Sequence, residues 1–311
     1  MAEKIRLREV GPRDGLQLVN TIMPAEQKIA WCRAETAAGV KEIEVTSFVP
    51  ARVIPQFADA GIVGREALAI ANLDASALVP NLKGAVRAFD TGFRNVGFVL
   101  SASEKHNMAN VRRTTEQSLE EFARIVEARD ARKSGGRISL SAAIATSFGC
   151  TMEGTVDESR VIAIAEKLAE AGADEIMLAD TVGYGNPAQV RRLFINTAEV
   201  LGPMPLRAHF HDTRGLGIAN VSAAVEAGVR RFDASLAGLG GCPFAPGATG
   251  NIDMEDTAFL LETLGLDTGI DIEALIAVRA MVETWLPGER FFGMVSRAGL
   301  PLNYRKRTAA S

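Results

Sequence analysis

Two histidines stand two residues apart in Ala208-His209-Phe210-His211-Asp212. On a β-strand, residues i and i+2 project to the same side. Both imidazoles would therefore leave one strand together, an arrangement suited to holding a metal ion. The chain has only 3 histidines, so this pair takes most of its imidazole. Taken alone, the motif also reads as a pair of hydrogen-bonded core or surface histidines. A carboxylate, Asp14, follows an early apolar run in Gly11-Pro12-Arg13-Asp14-Gly15, and an amide, Asn251, closes the glycine-rich stretch Gly238-Leu239-Gly240-Gly241-Cys242-Pro243 to Gly250. Two imidazoles, a carboxylate and an amide oxygen make a mixed nitrogen and oxygen set. It suits Mg²⁺ or Mn²⁺ with positions left open for substrate oxygens.

Other reactive groups fall near the same kind of position. Glu44 sits in Glu44-Val45-Thr46-Ser47-Phe48 and Asp180 in Ala179-Asp180-Thr181-Val182-Gly183. Either carboxylate alone could serve as an N-cap for the next helix. With Asp14 and the guanidinium of Arg13 they form a charged rim in which like charges call for a cation. His106 is expected in a loop after the fourth strand, as a substrate contact. Cys32 lies in a helical pattern and reads as core, as does Cys150.

The elements that would carry these groups alternate along the chain. Strands are predicted near 5–10, 41–46, 77–80, 95–101, 138–145, 175–179, 206–211 and 231–236. Helical patterns fill the gaps, for example over 25–38, 115–132, 157–171 and 187–201. Ala38-Gly39, Ala171-Gly172 and Ala227-Gly228 each read as a helix end with a glycine C-cap. Eight strand–helix units in about 260 residues predict an α/β fold, a (β/α)8 TIM barrel, over about 4–250. Extra C-terminal helices follow over about 253–300, all within one domain spanning 1–311. An open doubly wound sheet is the rival, but it calls for a G-x-G-x-x-G turn after the first strand. Here that turn is charged. In a TIM barrel the site belongs at the C-terminal ends of the strands, which is where all the groups above fall.

The chain has 311 residues, 47% hydrophobic and 23% charged, with a formal net charge of −4. No basic surface argues for nucleic acid. An odd set of 3 cysteines does not make a disulfide framework. No signal peptide or membrane-length apolar run is visible, so a cytoplasmic protein is expected.

The motifs resemble those of the hydroxymethylglutaryl-CoA lyase family, within the metal-dependent TIM-barrel lyase/synthase superfamily. The resemblance rests on Gly11 to Gln17, Glu44 to Phe48, Pro80-Asn81-Leu82-Lys83-Gly84, Asp180 to Gly183, His209 to Thr213 and Gly238 to Asn251. It implies Asp14, His209, His211 and Asn251 as ligands of a divalent metal, Mg²⁺ or Mn²⁺. It implies Arg13 as the stabiliser of an enolate oxygen, Glu44 as its orienting partner and Asp180 as the group that helps deprotonate a tertiary hydroxyl. Cys242 would be the acid that protonates the departing acetyl-CoA enolate. Gln17, Ser47, Asn81, His106 and Arg214 are expected to contact substrate, and Lys83 or Lys105 the CoA moiety. A homodimer acting on an acyl-CoA, with no nucleic-acid or membrane partner, is implied.

Two stretches depart from the family pattern. Where the family reads R-G-Y-V-S after the fifth strand, this chain has Ser141-Ala142-Ala143-Ile144-Ala145. Where it reads Tyr-Gly-Gln after the His-x-His motif, this chain has Arg214-Gly215-Leu216. The implied reaction is cleavage of 3-hydroxy-3-methylglutaryl-CoA to acetyl-CoA and acetoacetate. The alternatives are a citramalyl-CoA or branched hydroxyglutaryl-CoA substrate, a Claisen synthase joining acetyl-CoA to a 2-oxo acid, or a barrel without catalytic activity.

Overall fold

A computed structural model describes residues 2–132, 136–241 and 250–304. Eight strands run through them: β1 (Arg6–Glu9), β2 (Glu42–Ser47), β3 (Asp74–Val79), β4 (Asn95–Ser101), β5 (Ser139–Ala145), β6 (Glu175–Asp180), β7 (Leu206–Phe210) and β8 (Arg231–Ala234). All pair in parallel with their sequence neighbours, and β8 pairs with β1, so the sheet closes. This is the expected TIM barrel.

The helices are α1 (Ala25–Ala37), α2 (Ala60–Leu68), α3 (Leu82–Thr91), α4 (Glu104–Val111), α5 (Thr115–Asp130), α6 (Glu158–Glu170), α7 (Pro187–Leu201) and α8 (Gly217–Glu226). After β8 come α9 (Met254–Thr263), α10 (Ile272–Trp285) and the short α11 (Val295–Ala298). Helix ends follow local chemistry. Thr114 and Gln117 close a capping box on α5. Gly39, Gly172 and Gly228 all have positive φ just past α1, α6 and α8, as the Ala-Gly steps predict.

Strand β3 begins at Asp74, three residues before the predicted 77–80. Its first three residues include Asp74 and Ser76, whose polarity hides a strand from a hydrophobic pattern. Both residues face the N-terminal mouth of the barrel, where a cavity of about 80 Å³ opens. The barrel interior is layered. A Cβ built on Gly97 would lie 3.4 Å from Glu44 Oε1, 3.4 Å from Ser141 Oγ and 3.6 Å from Leu78 Cδ1, so these side chains fill the centre. Below them the filling is ionic rather than aliphatic. Arg207 reaches Glu175 at 2.9 Å and Glu42 at 2.7 Å, and Arg231 reaches Glu175 at 2.6 Å. With its arginines paired to carboxylates in this way, the N-terminal mouth reads as a plug, and the reactive groups belong at the opposite end.

Candidate active site

The turn after β1 is a π-helical turn over Gly11–Gly15. The amides of Arg13, Asp14 and Gly15 all donate to the Val10 carbonyl, at 2.6 to 3.2 Å. This tight winding carries Arg13 and Asp14 over the C-terminal mouth. Strand β7 delivers His209, and His211 follows one pleat later in a bridge to Asn251. One ligand atom each from Asp14, His209 and His211 lie within 4.8 Å of one another. The imidazole rings are 5.2 Å apart between centroids, and His211 Nε2 lies 3.7 Å from Asp14 Oδ2.

Asn251 joins this group through its side chain, donating from Nδ2 to Asp14 Oδ2 at 2.7 Å and to the Leu239 carbonyl at 2.9 Å. Two glycines make the approach possible. A Cβ on Gly240 would fall 2.5 Å from Asn251 Nδ2, and one on Gly250 would fall 2.2 Å from the Gly238 carbonyl. Both have positive φ, so the backbone conformation also favours glycine there.

The charges are tuned for a cation. Burial and then the neighbouring His209 push the His211 imidazole down to about 4, so it is neutral at physiological pH. A metal ligand has to be neutral imidazole. His211 Nδ1 is buried with no hydrogen-bond partner among the described residues. Burial alone would raise the Asp14 carboxyl, but Arg13, the two histidines and the Asn251 amide hold it below the usual range. The His209 Nδ1 atom is engaged by Asp233 Oδ2 at 3.2 Å, which leaves Nε2 as its ligand atom. Two imidazoles and a carboxylate, with one ring held by a buried acid, fit a divalent cation.

Arg13 is buried and clamped on two sides, by Glu44 Oε2 on Nε and by Asp14 Oδ1 on Nη1. Glu44, the carboxylate on the Arg13 Nε side, is only 1% exposed. Asp180, at the end of β6, accepts from the Tyr184 amide at 2.8 Å and the Gly185 amide at 2.9 Å. Its carboxyl is raised to about 6, first by burial, against the pull of these amides and of His209 and Arg214.

The expected substrate contacts fare unevenly. Ser47 is fully buried and donates to the Leu78 carbonyl at 3.2 Å. Asn81 caps α3, accepting from the Gly84 amide at 2.9 Å. Gln17 is half-buried just past the π turn. Arg214 donates to the Val182 and Gly183 carbonyls, at 3.1 and 3.0 Å, and stacks 4.4 Å over the Tyr184 ring. It ties the loop after β7 to the loop after β6. His106 is not a loop residue. Ser103 caps a helix here, accepting from the His106 amide, so His106 lies in the first turn of α4 and is buried, with Nδ1 2.7 Å from Ser101 Oγ. Lys83 and Lys105 are exposed. Cys32 and Cys150 are buried, as expected for core. Cys242, with 242–249, lies outside the described residues.

The supporting residues lie outside these motifs. Asp233 is wholly buried beside His209. Glu9 accepts from the Leu236 amide at 2.9 Å, and Glu255 accepts from the Ala237 amide at 3.0 Å, so two buried acids hold the root of the glycine loop. The signal was a charge at an inward strand position, as in Arg207, which shares its phase with His209 and His211.

Residues 4–282 match the family model described as HMGL-like. Among curated proteins, (R)-citramalyl-CoA lyase of Chloroflexus aurantiacus is 40% identical, with 96% of this chain and 95% of that protein covered. Hydroxymethylglutaryl-CoA lyase of Pseudomonas mevalonii is 37% identical, covering 97% and 98%. Among solved structures, an HMG-CoA lyase from Acenitobacter baumannii in complex with coenzyme A and 3-methylmalate superposes with a TM-score of 0.90. It is 39% identical, and 98% of both chains is covered.

Proposed function

This chain belongs to the HMGL-like family, and on that premise we propose that it cleaves 3-hydroxy-3-methylglutaryl-CoA to acetyl-CoA and acetoacetate with the help of a divalent cation. The observation that supports this reading best is the cluster of Asp14, His209 and His211 at the C-terminal mouth with Arg13 against it. Asp14, His209, His211 and Asn251 would hold the cation, Mg²⁺ or Mn²⁺. When bound, it supplies Lewis-acid polarisation of the substrate's hydroxyl and carbonyl oxygens.

The chain's own groups do the rest. Asp180, raised to about 6, is ionised at neutral pH yet basic enough to take the proton of the tertiary hydroxyl. The hydroxyl oxygen becomes the ketone of acetoacetate as the adjacent C–C bond breaks. The electron pair of that bond passes to the acetyl-CoA fragment as an enolate. Arg13, with Nε and Nη1 fixed, presents Nη2 to the enolate oxygen. Cys242, in the glycine-rich stretch of the sequence, gives its thiol proton to the enolate carbon.

A second reading changes only the substrate. A 40% identical relative is named for (R)-citramalyl-CoA. Ala143 stands on the inward phase of β5, the phase of Ser141, where the family resemblance leads one to expect tyrosine. A smaller wall there alters the fit of the acyl group. Chelator-treated protein assayed with a panel of hydroxyacyl-CoA thioesters, with Mg²⁺ or Mn²⁺ restored, separates the readings. Cleavage of hydroxymethylglutaryl-CoA supports the first, and exclusive cleavage of citramalyl-CoA the second. No cleavage of any thioester with either ion overturns both.

A further inference from the structure

We propose that Arg8 and Arg207, two arginines buried inside the barrel beneath the rim, are positioning residues for the metal centre, acting through Asp233 on the His209 imidazole. The inference rests on the metal-binding reading of Asp14, His209 and His211.

The register of three adjacent strands sets the arrangement. Arg8 on β1 is paired with Asp233 on β8, and Asp233 with His209 on β7. Three side chains that point inward therefore lie in one row across the three strands. Arg8 grips Asp233 as a fork, with Nε 2.9 Å from Oδ1 and Nη2 2.8 Å from Oδ2. Arg207 adds Nη1 at 3.3 Å from Oδ1. The same Oδ2 that Arg8 holds lies 3.2 Å from His209 Nδ1. Asp233 is 0% exposed, Arg8 5% and Arg207 3%, so water does little for any of these charges.

A buried carboxylate without a counter-charge is costly. A bidentate guanidinium both offsets the charge and fixes the plane of the carboxylate. Fixed and charged, Asp233 can only accept, so His209 Nδ1 donates to it and the Nε2 lone pair is turned toward Asp14 and His211. Arg207 alone does not suffice for this. It is divided among Asp233, Glu175 and Glu42, whereas among the described residues Arg8 forms its ion pair with Asp233 alone. Strand β1 thus supplies an anchor below, Arg8, and the turn that follows it a ligand above, Asp14.

The test is Mn²⁺ binding to purified full-length protein, followed by calorimetry and by the spin-resonance signal of free Mn²⁺, with no substrate present. Wild type, Arg8→Lys, Arg8→Met, Arg207→Met and, as a control, His209→Ala are compared, with circular dichroism and melting temperature recorded for each. Arg8→Met is expected to weaken Mn²⁺ binding about 10-fold, the lower end of the effect of losing a group bonded to a ligating histidine, since Arg8 acts through Asp233. Arg8→Lys keeps the charge but not the fork, so it should fall between Arg8→Met and wild type. Arg207→Met should weaken binding less than Arg8→Met. In turnover, high Mn²⁺ should restore kcat to the Arg8 variants. If Arg8→Met does not fold, Arg8→Lys decides. Unchanged Mn²⁺ affinity in folded Arg8 variants, while His209→Ala loses binding, overturns the inference and leaves the metal reading standing. Wild type that binds no Mn²⁺ overturns both.

Discussion

Asn251 Nδ2 donates to Asp14 Oδ2 at 2.7 Å, joining the first rim turn to the last across 237 residues of sequence. The bond aims the Asp14 carboxylate at the histidines. A hydrogen bond to a charged group contributes about 1.5–3 kcal/mol. Asn251→Ala should therefore weaken divalent-cation binding about 10-fold or more, as read by Mn²⁺ titration. Affinity equal to wild type would show that Asn251 neither binds nor aims.

A stability prediction concerns Glu35 on α1. It is wholly buried, with the Glu9 carboxyl and the Trp31 indole as its polar neighbours. Burial, and then the charge of Glu9, raise its carboxyl well above the usual range, and burial lifts Glu9 to about 8. The folded state thus keeps protons that the unfolded chain has released. The stability this confers is full below the unfolded value near 4.5 and is lost as pH rises toward the folded values. Glu35→Met should therefore be the more stable protein at pH 8.5, by about 1–3 kcal/mol, with a smaller gap at pH 5.5. Urea denaturation at both pH values measures it. A gap that does not widen with pH contradicts the assignment.

Arg214 bridges two rim loops and lies outside the metal cluster. Arg214→Gln should raise KM several-fold for a substrate with a free carboxylate and leave Mn²⁺ affinity unchanged. The cost in stability should be no more than about 1 kcal/mol, the value of an exposed cation–π contact. Unaltered KM would remove Arg214 from the substrate wall.

Replacing the proposed proton donor tests the last chemical step. A serine hydroxyl is a far weaker acid than a thiol, and general acid catalysis contributes about 10²–10⁴-fold. Cys242→Ser should lose kcat on that scale while binding Mn²⁺ as wild type does. Full activity in that variant would assign the proton to another group.

The rim was legible because its residues sit where period-2 phase and strand ends put them. His209 and His211 share a phase, and Asp14 follows β1 directly. The helix over Pro187–Leu201 is legible to the residue, since Asn186 caps it and Pro187 opens it. His106 was misplaced because Ser103, a residue of turns and caps alike, started a helix instead of a loop. Ser47 and Asn81 look like substrate contacts in a motif, yet the backbone takes up their side chains. The anchor formed by Arg8 and Asp233 was hidden for a different reason. Its partners are 225 residues apart, and only barrel closure makes β1 and β8 neighbours.

The most direct measurement is metal content set against cleavage. Protein stripped with a chelator is titrated with Mn²⁺ while hydroxymethylglutaryl-CoA cleavage and bound ion are followed together, beside Asp14→Asn and His209→Ala. The expected result is no cleavage without metal, activity returning in step with a single bound ion, and neither binding nor cleavage in the two variants. Full cleavage by metal-free protein, or tight Mn²⁺ binding by both variants, would contradict the assignment of this centre.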